Sequence, residues 1–222
     1  MQSKHSMASA TVIPNRTRPR ARAADGRGVA DVYIGGAADG QSRLVANYVR
    51  ERQRLLQARS LDHFRTASWF AHYDTDAVRA HCDAALARGE QIVLVGHSWG
   101  SDTALRAAHM LHGPIALLAG VDPVMRPGTL FSNVTHRPAN AEMVVYVDAR
   151  PKQMDHSDLV KATGVILGGG LAPAFRVADV TIPATLNHWA FSEMMATASP
   201  AGLTLDQMIL EVGLGAPASQ TG

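Results

Sequence analysis

Ser98 stands in the pentapeptide Gly96-His97-Ser98-Trp99-Gly100, a G-x-S-x-G pattern. A serine hydroxyl is a poor nucleophile until a base takes its proton, so a chemical role for Ser98 requires a histidine and an acid to orient it. The two glycines suit a sharp strand-to-helix turn, where neighbouring backbone passes too close for a Cβ. Such a pentapeptide is weak evidence alone, and its surroundings supply the specificity. Gln91 to Val95 reads as an apolar strand, and Ser101-Asp102-Thr103-Ala104-Leu105 reads as the opening of a helix. The competing reading is a glycine-bounded loop in which Ser98 only caps that helix. If the turn is real, the N–H of Trp99 lies at a helix N-terminus and can stabilise a developing oxyanion. A second donor is expected from the loop after an earlier strand, with the N–H of Gly36 or Ala37 as candidates.

In turns of this kind the acid, and then the histidine, follow the serine along the chain. His109, His112, His136, His156 and His188 follow Ser98. Only His188 comes after the last expected strand, in a loop that would return to the sheet edge, and it is the expected base. Two acids compete to orient it: Asp122, closing Ile115 to Val121, and Asp148, closing Met143 to Val147. Both sit where ligands bind in open α/β sheets, outside the carboxyl ends of strands, so position does not choose between them. Asp158 and Asp179 read as cap and turn residues, and His97 as a packing residue rather than a catalyst. Cys82 reads as a small buried residue within a helical pattern.

The elements that must position these groups alternate. Strands are expected at Asp31 to Ile34, Ser68 to Tyr73, Gln91 to Val95, Ile115 to Val121, Met143 to Val147 and Phe175 to Ile182. Helices are expected at residues 42–58, from Asp74 or Thr75 to Arg88, at Asp102 to Leu111, over 157–172 before a glycine-rich loop, and at 189–197 and 204–212. Continuous apolar runs such as Ile115 to Val121 are what parallel strands covered on both faces look like. The expected fold is therefore α/β: a mostly parallel sheet of about six strands with helices on both faces. Its expected extent is residues 29–213, between a disordered basic tail at 1–28 and a frayed end at 214–222.

Several segments resemble the α/β-hydrolase superfamily, in particular bacterial lipase- and esterase-like serine hydrolases. The resemblance rests on Tyr33 to Asp39, on Leu117 to Gly120 leading into Val121-Asp122-Pro123-Val124 and Asn133-Val134, and on Ser157-Asp158 and Gly168 to Gly170. Ala178-Asp179 followed by His188 and Phe191 completes it, so that it spans residues 31 to 195 and departs around Arg150 to His156. It implies a reduced α/β-hydrolase fold lacking the leading strands of larger relatives. It also implies a triad of Ser98, Asp122 and His188, with Asp148 as the alternative acid; the chemistry of such a triad fits a small-molecule or lipid ester and calls for no cofactor or metal.

The bulk properties narrow the partners. Of 222 residues 46% are hydrophobic and 18% charged, which suits one packed domain. The formal charge is +2, yet Lys4, Arg16, Arg18, Arg20, Arg22 and Arg27 against Asp25 give residues 1–28 an excess of five positive charges. The remainder is slightly acidic, and aromatic residues are only 5%, so no nucleic-acid groove is expected. No apolar run is long enough for a transmembrane helix, and the first residues lack the apolar stretch of a signal peptide, so the expected location is cytoplasmic. The oligomeric state is not read from the sequence. Two other ester-cleaving or fold-sharing roles compete with carboxylester hydrolysis: a thioesterase and a catalytically silent binding protein. A metal-dependent hydrolase is disfavoured because His109 and His112 have no third ligand at fitting spacing.

Overall fold

The computed structural model describes residues 28–126, 133–151 and 170–214. Six parallel strands form one sheet in the order β2-β1-β3-β4-β5-β6: β1 (Val29–Ile34), β2 (Arg65–Phe70), β3 (Gln91–His97), β4 (Ile115–Val121), β5 (Val144–Ala149) and β6 (Val180–Ala184). From β1 the chain runs outward to the edge strand β2, crosses back to β3, and then steps to β6 at the other edge. The direction of winding reverses between β1 and β3. In open α/β sheets the loops leaving two such strands diverge to opposite faces and leave a crevice at their carboxyl ends.

Helices cover both faces, and the residue spacing shows why. On one side α2 (Leu44–Ala58) buries Val45, Val49, Arg52 and Leu56, one helical face, beside α6 (Phe191–Met195) and α7 (Leu205–Glu211). On the other side α3 (Thr75–Ala87) buries Val78, Cys82 and Ala85, beside α4 (Trp99–Met110) and α5 (Pro173–Arg176). The short α1 (Asp39–Ser42) lies between β1 and α2. Ile92, Val93, Leu94 and Val95 are wholly buried because the two faces of β3 are both roofed. Burial pushes the Cys82 thiol, on the covered face of α3, up to about 12, away from the thiolate form that reacts.

Asp31 in β1 is fully buried, and both Arg52 (Nε to Oδ2, 2.9 Å) and Arg65 (Nε to Oδ2 and Nη2 to Oδ1, both 2.7 Å) bond to it. Arg65 also donates to the carbonyls of Ile209 and Val212, tying α7 to the sheet. The α7 start is closed by a reciprocal cap: Gln207 N donates to Thr204 Oγ1, and Thr204 N to Gln207 Oε1.

The last strand differs from its sequence reading. Phe175 to Ile182 was expected to be one strand, whereas Pro173 opens α5 and β6 starts only at Val180. Proline at the first helical position favours the helix. The Phe175 ring then packs under β4 at Gly120, where a Cβ would come within 2.6 Å of it. β2 likewise begins at Arg65, three residues before its expected start. The helix expected over 157–172 lies almost wholly outside the described residues, as do the basic tail except Gly28 and the expected frayed end except Leu214.

Candidate active site

Ser98 occupies the turn between β3 and α4 with φ 51° and ψ −127°, a conformation L-residues rarely adopt. The surroundings force it. A Cβ on Gly96 would lie 2.5 Å from Ser101 N and Cα, and one on Gly100 would collide with the carbonyl oxygen of Ile34. β4 grips the turn from the side: Ser98 N donates to Val121 O (3.2 Å) and Val124 N to Ser98 O (3.3 Å). Ser101 Oγ donates to Gly96 O at 2.8 Å, closing the turn from below. Ser98 is thus held by its backbone, and none of these bonds uses its hydroxyl.

Asp122 follows directly after β4, also at positive φ (43°), with its N–H on Val147 O at 2.8 Å. His188 lies in the loop between β6 and α6. Its Nδ1 is 2.6 Å from Asp122 Oδ2, and both side chains are withdrawn from water, 3% and 2% exposed. A carboxylate only accepts, so Nδ1 carries the proton and Nε2 is the acceptor nitrogen of the ring. Asp148, at the end of β5, points its carboxylate elsewhere. It pairs with Arg150 Nε at 2.5 Å and accepts a hydrogen bond from Tyr146, whose hydroxyl burial and this bond together push well above its ordinary value.

The loop after β1 reaches the same place. A Cβ on Gly36 would come within 2.8 Å of Ser98 Cβ, so this loop lies directly against the turn. Gly36 is buried, while Ala37 is exposed and Trp99 half-buried. Asp39, which the sequence reading left within a turn-prone stretch, holds the loop: its buried carboxylate accepts from Val45 N (2.8 Å) and Trp69 Nε1 (2.7 Å). An acid just ahead of a helical pattern was the available signal. His72 packs edge-on to Trp99 at 5.5 Å between ring centroids, and burial followed by the charge of Arg126 lowers its pKa.

The sequence matches no protein-family model and no curated protein.

Among the described residues no group of three or more His, Cys, Asp or Glu side chains could hold a metal, and His109 instead bonds the carbonyl of His136 at 3.0 Å. No described helix is long and apolar enough to cross a membrane.

His97, read from sequence as a packing residue, is buried with Nε2 2.9 Å from the carbonyl oxygen of His188. Burial, then the neighbouring His188, lowers its pKa to about 3. An unfolded chain holds histidine near 6.5. Between these values the unfolded state binds a proton the folded state refuses, so the folded state gains stability as pH rises. This contribution is full above about pH 6.5 and lost as pH falls toward 3. The urea midpoint is therefore expected to fall on acidification from pH 7 to 4, by less in His97→Phe than in the parent. Equal acid sensitivity of the two proteins would contradict the burial of a neutral imidazole.

Proposed function

We propose that the protein is a serine hydrolase of the α/β-hydrolase type that cleaves carboxylic esters through an acyl-enzyme on Ser98. The observation that carries this reading is the buried His188–Asp122 pair, 2.6 Å apart, beside a serine held at positive φ in a strand-to-helix turn. Strained residues at a sheet crevice are a mark of functional sites, and here two of them, Ser98 and Asp122, belong to one cluster. The winding reversal between β1 and β3 supports the same place, since the turn leaves β3 and the Gly36 loop leaves β1.

In this reading Ser98 Oγ attacks the ester carbonyl while His188 Nε2 takes its proton. Asp122 keeps the His188 proton on Nδ1 and stabilises the imidazolium that forms. The N–H of Trp99, with that of Gly36 or Ala37, faces the oxyanion, aided by the positive end of α4. His188 then protonates the leaving alcohol, and water, deprotonated by the same imidazole, releases the acid. Asp39 acts at one remove by fixing the Gly36 loop.

The test uses the whole chain. A fluorophosphonate probe is expected to label one residue, Ser98, and p-nitrophenyl esters graded from acetate upward are expected to turn over, with a matching thioester series ranking ester against thioester. Neither labelling nor turnover by the folded protein would leave a silent binding protein as the better description.

A further inference from the structure

We propose that His97 is a positioning residue for the acid–base pair, holding the backbone of His188 through a hydrogen bond and backing its ring so that Nδ1 stays on Asp122. The proposal rests on the reading of His188 as the base. His188 belongs to neither β6 nor α6, and the bonds within its loop are local: Ala190 N to Asn187 O at 3.2 Å, and Trp189 N to Asn187 Oδ1 at 3.0 Å. Hydrogen bonds at His188 tie the loop across to the sheet. One is the His188 side chain on Asp122, at the end of β4; another is the His188 carbonyl, which accepts from His97 Nε2 at 2.9 Å, at the end of β3. Because His97 is bonded in sequence to Ser98, this second contact sets the base against the nucleophile through one residue.

The rings reinforce the bond. His97 and His188 lie 4.7 Å apart between centroids, tilted by 31°, and Phe191 closes on His97 edge-on at 5.3 Å. A carbonyl oxygen only accepts, so His97 carries its proton on Nε2. The groups acting electrostatically on His97 are His188 and Asp122, and burial keeps it neutral down to about pH 3. A neutral neighbour leaves the imidazolium that forms on His188 unopposed, whereas a second cation at this distance would repel it. Phenylalanine would supply the ring without the donor, and glutamine a donor without the ring.

The experiment compares His97→Phe and His97→Gln with the parent by three readouts. These are kcat and KM on p-nitrophenyl acetate, the rate of fluorophosphonate labelling, and the far-downfield proton resonance of His188 Nδ1, assigned by its loss in Asp122→Asn. His97→Phe is expected to lower kcat and the labelling rate about 10- to 100-fold with KM within about twofold, the size of a small misplacement of a reacting group. Its downfield proton is expected to broaden or shift, and His97→Gln is expected to recover much of both. Parent-like kcat and an unshifted proton in a folded His97→Phe would overturn the proposal, as would equal losses in both variants that follow their melting temperatures. If His97→Phe does not fold, His97→Asn, whose shorter amide falls short of the carbonyl, replaces it, and equal rates for Asn and Gln overturn the proposal. A parent protein that neither labels nor turns over instead sinks the hydrolase reading, while the proton resonance still reports whether His97 holds the His188–Asp122 pair.

Discussion

Ser98→Ala is expected to lower ester turnover by about 10⁵- to 10⁶-fold and to abolish covalent labelling by a fluorophosphonate, with the fold intact. The magnitude follows from removing the only atom that forms the acyl bond, after which the remaining donors merely bind and polarise the ester. The intact fold follows from the backbone bonds of Ser98 to Val121, Val124 and Ser101, which do not involve the hydroxyl. Near-UV circular dichroism and intact-mass labelling check both halves. Ser98→Gly, equally inactive, is expected to melt above Ser98→Ala, because glycine adopts a φ of 51° without the strain a Cβ brings there. Labelling that survives in Ser98→Ala would place the nucleophile elsewhere, and a lower melting temperature for Ser98→Gly would argue that the turn is not strained.

The centre of the fold was open to reading from sequence because its strands are buried on both faces. Ile92 to Val95 and Ile115 to Val121 are continuous apolar runs for that reason, and small residues such as Ala104, Ala107 and Ala108 mark a helix pressed between sheet and neighbour. The edges were harder. β2 starts at Arg65, a charged residue that reads as loop until its guanidinium is found bonded to Asp31 on the neighbouring strand, a contact no local pattern reveals. β6 was mistaken for a longer strand because Phe175 and Val177 have strand-forming side chains, while Pro173 and the space under Gly120 turn that stretch into α5. Within the candidate site, the motif singled out Ser98 and chain order singled out His188. The closeness of His97 to His188 is a contact across ninety-one positions of chain, invisible to any spacing rule. The two acids looked alike because each closes a strand, yet Arg150, two residues beyond Asp148, was a visible competitor for that carboxylate.

Asp122→Asn is expected to lower kcat by about 10⁴-fold, whereas Asp148→Asn is expected to leave it within about twofold. An amide in place of the Asp122 carboxylate turns an N–H toward His188 Nδ1, which favours the tautomer carrying its proton on Nε2. That nitrogen can then no longer accept from Ser98, so the loss falls on the chemical step while KM changes little. The withdrawal of both side chains from water sharpens the effect, because no solvent replaces the missing acceptor. At Asp148 the carboxylate serves Arg150 and Tyr146, and the Arg150 side chain is mostly exposed, so its loss is screened by solvent. Steady-state rates on p-nitrophenyl acetate, taken with thermal melts to match folding, decide between them. An inactive Asp148→Asn beside a near-normal Asp122→Asn would move the acid to the end of β5 and reduce the His188–Asp122 bond to a structural one. A loss in both would instead mean that Asp148 acts on His188 indirectly: Tyr146 pairs with Thr181 in β6, the strand that leads into the His188 loop.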